Sequence, residues 1–164
     1  MGADHHRLIS DLIVDYGFHL DTGNIDAVAD MFANATLRIL RGDEELAVAT
    51  GSDEVRALLG DHTDHDGSPR THHVNTNVRI NLSEDAMTAT ARTYITLLQA
   101  TKDLPLQPVA CGIYHDRFVR EGDVWRFAER RNEARLLGDL SHRLRGGANE
   151  RLAHMAAGDR GAPA

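Results

Sequence analysis

A histidine within a strand-like segment is the residue of this chain best suited to acid–base chemistry. Residues 70 to 82 alternate between apolar and polar side chains, which predicts a β-strand with two different faces. One face carries Val74, Val78, Ile80 and Leu82. The other face carries His73, Asn75, Asn77 and Arg79. If this polar face lines a ligand cavity rather than meeting water, the imidazole of His73 is the leading candidate for a catalytic base.

Two further candidates lie near the end of the first predicted helix. Asp21 sits beside turn residues, and Tyr16 precedes it by five residues. A carboxylate bonded to one ring nitrogen of a histidine fixes the tautomer and stabilises the imidazolium, so Asp21 is a possible partner for His73. The plainer alternatives also stand, because Asp is common in turns and buried Tyr is common in cores. As a functional group, the Tyr16 phenol would donate a hydrogen bond or a proton to a substrate oxygen.

The last strand-like segment supplies two neighbouring cations. Arg130 and Arg131 are adjacent, so they point to opposite faces of a strand. One of them can enter a pocket while the other faces water. The polarity of their neighbours does not decide which is inward.

A dense group of histidines and aspartates raises the question of a metal site. Its members are His62, Asp64, His65, Asp66, His72 and His73. Most of them fall in a polar loop, and their spacing matches no two-histidine zinc motif on a helix. We therefore expect no metal. Phosphate-binding loops, dinucleotide-binding glycine motifs and Gly-x-Ser-x-Gly elbows do not occur in the sequence, which argues against nucleotide binding, nicotinamide binding and serine-hydrolase activity.

Length, composition and charge argue against several classes of protein and partner. The 164 residues suffice for one domain, and 18 Lys and Arg against 25 Asp and Glu give a formal charge of −7. This balance argues against nucleic acid and anionic membranes as partners. No apolar run approaches the roughly 20 residues that cross a bilayer. With a single cysteine, Cys111, and no signal-peptide pattern at the N-terminus, we expect a cytoplasmic protein.

The spacing of apolar residues predicts mainly helices in the first part of the chain and a long series of antiparallel strands after them. Apolar spacing predicts a helix over residues 4 to 20, a short second helix from Ile25, and a third with Ser52 as its N-cap and Gly60 as its end. Strands are expected over residues 36–41, 46–50, 70–82, 86–101, 107–121 and 124–136. This order indicates an α+β domain spanning residues 1–145, with helices on one face of a mostly antiparallel sheet. Residues 146–164 are predicted to be a C-terminal tail.

Several segments, in this order, resemble the SnoaL-like group of the nuclear transport factor 2-like superfamily. They are Tyr16 with Leu20-Asp21, Ala27 with Met31-Phe32-Ala33, Gly51, residues 71–78, residues 112–118 and residues 125–131. The resemblance covers residues 6 to 136 and is greatest to the branch of scytalone dehydratase, bile acid 7α-dehydratase and lindane dehydrochlorinase. It implies a cone-shaped α+β barrel, in which a curved sheet and three N-terminal helices enclose a pocket.

The same resemblance assigns roles to residues. It implies an Asp21–His73 acid–base pair, with Tyr16 and an inward Arg130 as further catalytic groups and Arg131 pointing outward. Asn75, Asn132 and Tyr114 are expected to contact the substrate. The implied activity is a cofactor-independent lyase of the dehydratase type, or an isomerase or cyclase.

The expected substrate is an apolar, ring-containing small molecule. Two alternatives stay open: a non-catalytic protein that binds a hydrophobic ligand, and an accessory small subunit of a ring-hydroxylating oxygenase. We also expect a homodimer or homotrimer, because Val74, Val78 and Ile80 would otherwise leave an apolar sheet face uncovered.

Overall fold

The computed structural model describes residues 4–60 and 67–143. Over these residues the chain forms three helices: α1 (His5–Asp21), α2 (Ile25–Met31) and α3 (Gly51–Leu59). It also forms six strands: β1 (Thr36–Arg41), β2 (Glu44–Thr50), β3 (Thr71–Leu82), β4 (Thr88–Gln99), β5 (Gln107–Glu121) and β6 (Val124–Leu137). The predicted tail over residues 146–164 lies outside the described residues. Within the described ranges, no helix has the length and apolar character needed to span a membrane.

Side-chain carboxylates accept backbone N–H groups at the N-terminal ends of α1 and α3. The N-cap of α1 is Asp4, whose side chain accepts a hydrogen bond from the backbone N–H of Arg7. For α3 the predicted N-cap, Ser52, is wrong. The N-cap is Thr50 and the helix starts at Gly51, two residues earlier than predicted. The φ of Gly51, +80°, suits glycine, and the Glu54 carboxylate accepts the backbone N–H of Thr50.

The six strands form one strongly curved, open sheet, which confirms the predicted α+β architecture. The strand order is β2-β1-β6-β5-β4-β3. All neighbouring strands run antiparallel except β1 and β6, which run parallel. Along β4 every second residue is buried from Ala89 to Gln99, as expected for a strand with one face against the core.

A β-bulge in β3 corrects the predicted faces of that strand. Thr76 pairs with Tyr94 and Arg79 pairs with Arg92, so Asn77 and Val78 together stand opposite the single residue between those partners. Asn77 has a φ of +52°, which marks the distortion. The extra residue reverses the alternation, because side chains on a strand point to opposite faces in turn.

The reversal turns the second half of β3 inward. Ile80 and Leu82 pair with the buried Ala91 and Ala89 and pack on the core, the same side of the sheet as His73. The prediction that Ile80 and Leu82 share one face with Val74 and Val78 is therefore wrong. Arg79, predicted to share the face of His73, instead pairs with the exposed Arg92 on the outer face. Val78 itself is 44% exposed.

The space between the helices and the sheet holds a packed core and a cavity. The main apolar cluster includes Ile9 and Ile13 of α1 and a stack of Phe32, Phe127 and Phe118. A second cluster consists of Leu97, Leu104, Val109 and Leu140. The cavity lies where the two clusters meet, since residues of both line it. Helix α1 crosses β3 at this place, which brings its C-terminal end to the cavity wall.

Candidate acid–base site

The C-terminal end of α1 and the start of β3 place Asp21 against His73. The Nδ1 atom of His73 lies 2.6 Å from Oδ1 of Asp21. The other carboxylate oxygen, Oδ2, accepts the backbone N–H of His73 at 2.7 Å, and the Thr71 hydroxyl donates to Oδ1 at 2.8 Å. The expected contact between the two residues is therefore present, and three hydrogen bonds fix the carboxylate.

Glycine at position 17 allows the helix to approach the strand this closely. Gly17 is buried, and a Cβ atom there would lie 3.1 Å from the Cβ of His73. Gly17 and Asp21 are four residues apart, so both lie on the face of α1 that meets β3. This role of Gly17 was not predicted from the sequence. The signal was a glycine one helical turn before the candidate carboxylate.

Burial and hydrogen bonding shift the two ionisable groups. Burial lowers the pKa of His73 below its usual 6.5; the bond and the charge of Asp21 oppose this shift without cancelling it. For Asp21, burial alone would raise the pKa, but hydrogen bonds from the His73 ring and backbone and from Thr71 lower it below 3.8. At neutral pH the pair is therefore a neutral imidazole next to a carboxylate.

This pairing defines the reactive nitrogen. Because Nδ1 donates its proton to the Asp21 carboxylate, Nε2 carries the lone pair that can accept a proton. The side chain of His73 is only 5% exposed, yet it lines the cavity. The arrangement can therefore remove a proton from a molecule held in the cavity, and Asp21 would stabilise the imidazolium that forms.

The cavity has a volume of about 180 Å³ and a mostly apolar wall. Its apolar members include Leu20, Ile39, Leu58, Leu59, Ile95, Leu97, Leu137 and Leu140. Its hydrogen-bonding side chains include Tyr16, His73, Tyr114, Asn132 and Arg143. Such a wall suits an apolar ligand oriented by a few polar groups.

Two tyrosines stand on the cavity wall as neutral donors. Tyr16 and Tyr114 meet edge to face, with ring centroids 5.8 Å apart. Burial raises the pKa of both phenols, so both keep their protons at neutral pH. No hydrogen bond to either phenol oxygen occurs among the described residues. Both hydroxyls therefore suit donation to a ligand oxygen.

Arg130 points inward, as the resemblance implied, but it does not reach the cavity wall. It is fully buried and forms a two-point ion pair with Asp116, in which Nε and Nη2 donate to the two carboxylate oxygens at 2.8 Å each. Its guanidinium lies 4.3 Å from the ring centroid of Tyr16 and 4.1 Å from that of Tyr114. The expectation that Arg130 faces the substrate is therefore wrong. Its guanidinium packs against the rings of Tyr16 and Tyr114, which stand between it and the cavity.

The remaining predicted residues divide between wall and interior. Asn132 and Tyr114 line the cavity, whereas Asn75 lies on the inward face of β3 away from the cavity wall. Arg131 is exposed on the outer face, as expected. Arg143, which follows β6 and lines the cavity, was not predicted, because nothing in its local pattern distinguishes it from a surface residue.

The group of histidines and aspartates lies partly outside the described residues. His62, Asp64, His65 and Asp66 all fall there. Within residues 4–60 and 67–143, no group of three or more His, Cys, Asp or Glu side chains is arranged to hold a metal ion. His73 is bound to Asp21.

Solved structures of other proteins have the same fold as this chain. A scytalone dehydratase-like protein from Novosphingobium aromaticivorans is 25% identical, with a TM-score of 0.64 over 82% of this chain and 86% of the other. From the same organism, a nuclear transport factor 2-like protein with a cystatin-like fold is 19% identical, with a TM-score of 0.65 over 91% and 88%. A β subunit of the aromatic-ring-hydroxylating dioxygenase type, also from that organism, is 16% identical, with a TM-score of 0.67 over 80% and 90%.

Sequence comparisons give the family. A comparison with curated protein sequences found no match. The family model of the SnoaL-like domain, in contrast, matches residues 3–131, most of the chain. The resemblance of the sequence segments, the architecture and this match agree. The chain belongs to the family of SnoaL-like domains.

Proposed function

We propose that this protein is a cofactor-independent lyase of the dehydratase type, or an isomerase or cyclase, that acts on an apolar, ring-containing small molecule. The observation that carries the proposal is the 2.6 Å contact between Asp21 and His73 at the wall of an apolar cavity. A neutral imidazole in such a place can take a proton from carbon. The 25% identity to the scytalone dehydratase-like protein supports the dehydratase form.

The reaction begins with proton removal by His73. Nε2 takes a proton from a carbon next to an electron-withdrawing group, and the Asp21 carboxylate stabilises the resulting imidazolium. In an elimination, the electron pair of the broken C–H bond forms a C=C bond, and the C–O bond of a neighbouring hydroxyl breaks. The departing oxygen takes a proton from the imidazolium or from the Tyr16 phenol and leaves as water. In an isomerisation, the imidazolium returns its proton to a different carbon.

Several groups share the stabilisation of the transition state. A positioned base contributes about 10²–10⁴-fold in rate. Charge that develops on a substrate oxygen would meet the Tyr16 and Tyr114 hydroxyls, whose preorganised dipoles act strongly in an apolar cavity. Arg143 adds a positive charge at the same wall. These donors would orient the substrate as well as lower its barrier.

The cavity limits the size of the substrate. An engineered cavity of about 150 Å³ accommodates benzene. The cavity here, about 180 Å³, is of similar size. A compound with one ring and small substituents fits this space with its apolar surface against the leucine side chains. We therefore propose a compact cyclic compound that bears a carbonyl and a neighbouring leaving group.

Two other functions have specific support. The predominance of apolar side chains in the cavity wall also suits a carrier that binds a hydrophobic ligand without changing it. The shared fold with the dioxygenase-type β subunit supports an accessory role beside a larger oxygenase subunit. Neither alternative explains why a histidine facing an apolar cavity is held by a carboxylate with three hydrogen bonds.

Proton exchange in D₂O tests the proposal on a set of model compounds. A panel of cyclic ketones and β-hydroxy ketones would be incubated with the protein, and loss of the α-proton signal followed by ¹H NMR. The proposal predicts exchange or elimination of at least one compound well above the buffer rate. Compounds that bind, by line broadening or calorimetry, but never exchange would favour the carrier instead.

A further inference from the structure

The cavity wall carries a cation that proton removal by His73 does not require. Arg143 lines the cavity together with Tyr16, Tyr114 and His73. Among the described residues of the wall, it is the only Lys or Arg. A guanidinium keeps its positive charge in proteins and carries five N–H donors. A neutral apolar ligand gains nothing from such a group, whereas an anionic ligand is attracted by it.

The segment that follows β6 is anchored so that Arg143 reaches the cavity. The backbone N–H of Gly138 donates to the carbonyl of Val109 at 2.9 Å, which turns the chain back over β5. Leu140 is only 5% exposed and packs in the second apolar cluster. The backbone N–H of Arg143 then donates to the carbonyl of Leu140 at 3.0 Å, which closes a turn. These contacts fix the backbone from which the Arg143 side chain projects.

A buried amide links this segment to the strand that carries the proposed base. Gln99, at the end of β4, is 1% exposed. Its Nε2 donates to the carbonyl of His142 and to that of Pro69, both at 3.2 Å. Pro69 precedes β3, and His142 precedes Arg143. The amide of Gln99 therefore fixes the position of Arg143 relative to the strand of His73.

The charge of Arg143 acts on the groups that a substrate would contact. Burial raises the pKa of Tyr16 and of Tyr114, and the charge of Arg143 opposes that rise. Burial lowers the pKa of His73, and the charge of Arg143 adds to that effect. Arg143 also interacts with the charge of Asp21, whose carboxylate accepts three hydrogen bonds from β3. Since Coulomb energy falls with distance, Arg143 is close enough to act on a molecule that contacts the phenols and the imidazole.

We propose that Arg143 binds a carboxylate of the substrate, so that the substrate class is a compact cyclic carboxylic acid. This inference rests on the proposed function and names the kind of molecule on which it acts. The parallel N–H donors of a guanidinium match the two oxygens of a carboxylate, whereas the hydroxyls of Tyr16 and Tyr114 suit the single oxygen of a carbonyl. The ring would fill the apolar space. The bound carboxylate would orient the ring so that the C–H bond to be broken faces Nε2 of His73.

Arg143 lies outside the part of the chain that carries the acid–base pair. The family model matches residues 3–131, which include Tyr16, Asp21 and His73 but not Arg143. The group that removes the proton and the group that selects the substrate thus come from different parts of the chain. Arg143 is therefore a specificity-determining residue in this proposal, and its loss should change which ligand binds.

Binding of benzoate and nitrobenzene tests the proposal. The two compounds have the same ring and nearly the same shape, but only benzoate carries a charge. Their dissociation constants would be measured by ¹H NMR titration near pH 7.5, in low salt and without other carboxylates. Wild type would be compared with Arg143→Gln, which removes the charge, and Arg143→Lys, which keeps the charge without the planar donor pair. Arg7→Gln removes an exposed arginine of α1 and is the matched control.

Wild type should bind benzoate about tenfold or more tightly than nitrobenzene. Arg143→Gln should bind the two compounds equally, with the affinity for nitrobenzene within threefold of wild type, and Arg143→Lys should keep part of the preference. Equal binding of the two compounds by wild type, no binding of benzoate, a preference retained in Arg143→Gln or a preference lost in Arg7→Gln would each overturn the proposal. An equal loss for both compounds in folded Arg143→Gln would also overturn it, because Arg143 would then only support the cavity wall. Circular dichroism checks the fold of each variant, and the comparison on wild type requires no variant.

Failure of the carboxylate site and failure of the proposed catalysis give different results, because binding is measured without turnover. If neutral cyclic ketones exchange protons in D₂O but benzoate is not preferred, the catalysis stands and the role of Arg143 is wrong. If the preference for benzoate depends on Arg143 but no compound exchanges, cyclic oxo acids included, the carboxylate site stands and the catalysis is wrong.

Discussion

Asp21 binds His73 at two points, the ring Nδ1 at 2.6 Å and the backbone N–H at 2.7 Å. The first bond sets the tautomer and the tilt of the imidazole. The second fixes the strand from which the imidazole projects. One carboxylate at the end of α1 therefore positions both the backbone and the side chain of the proposed base, and the chemistry proposed for the cavity depends on that rigidity.

The rate should depend on a base that titrates below pH 6.5. Burial lowers the pKa of His73 from 6.5, so the neutral form required of a base dominates at pH 7. The ratio kcat/KM should rise with pH along a limb whose midpoint lies below 6.5 and then reach a plateau. For the same reason, the unfolded chain binds a proton at His73 more readily, so stability from this group should fall as the pH drops below 6.5. Urea unfolding of wild type and His73→Gln between pH 5 and 8 checks the second point; a kinetic midpoint above 6.5 would contradict the first.

Asp21→Asn should show how much of kcat depends on the charge of the Asp21 carboxylate rather than on its size and shape. The substituted amide has nearly the same size but cannot stabilise the imidazolium as a carboxylate does. We expect a fall in kcat of about 10²–10⁴-fold, with KM little changed. Asp15→Asn, an exposed position on the same helix, is the control and should leave kcat unchanged. A fall of less than threefold for Asp21→Asn would show that the charge is unimportant.

Removal of the Tyr16 hydroxyl and removal of the Tyr114 hydroxyl should lower kcat/KM by different factors if one of the two phenols delivers a proton. Tyr16→Phe and Tyr114→Phe each remove one hydroxyl and retain the ring packing around Arg130. A lost hydrogen bond to substrate costs about 0.5–1.5 kcal/mol, or roughly 2- to 13-fold in kcat/KM. If Tyr16 is the proton donor, its variant should lose considerably more than this while Tyr114→Phe stays within it. Unchanged kcat/KM in both variants would remove the phenols from the mechanism.

The buried ion pair between Arg130 and Asp116 should contribute to the free energy of unfolding. Burial alone would lower the pKa of Arg130, but the charge and the hydrogen bonds of Asp116 raise it, so the guanidinium remains charged. Asp116→Asn leaves that charge without a counter-ion and should lower the free energy of unfolding by about 3–5 kcal/mol. Glu121→Gln, which breaks the exposed pair with Arg126, should cost less than about 1 kcal/mol. Equal unfolding midpoints for the two variants in urea would contradict the assignment.

Local sequence patterns were enough to predict the α+β class and most of its helices and strands, whereas the curvature of the sheet around a pocket was implied by the family resemblance. The apolar periodicity of α1 and the alternation of β4 arise from one-sided burial, which acts on each element separately. The prediction failed at Asn77, where a β-bulge reverses the faces of β3. The sequence there keeps a regular alternation, so the pattern alone places Ile80 on the wrong side. Only the pairing with β4 reveals the extra residue.

The candidate site depended on contacts between distant parts of the chain. Asp21 and His73 are brought together by the crossing of α1 over β3, which the family resemblance implied and local pattern did not. The bulk of the surrounding aromatic rings explains why Arg130 stays behind Tyr16 and Tyr114 rather than reaching the cavity. Its partner, Asp116, shares a cross-strand register position with it on β5. That register becomes visible only once the strands are paired.

The removal of the imidazole tests the central claim most directly. His73→Ala, purified and shown to be folded, would be compared with wild type on a compound that wild type converts or exchanges, with kcat and ligand affinity measured on the same samples. We predict that kcat falls by about 10²–10⁴-fold or more, while affinity changes less than about threefold, because binding depends mainly on the apolar wall. If His73→Ala keeps the wild-type rate, His73 is not the base, and the ligand-binding function replaces the catalytic one.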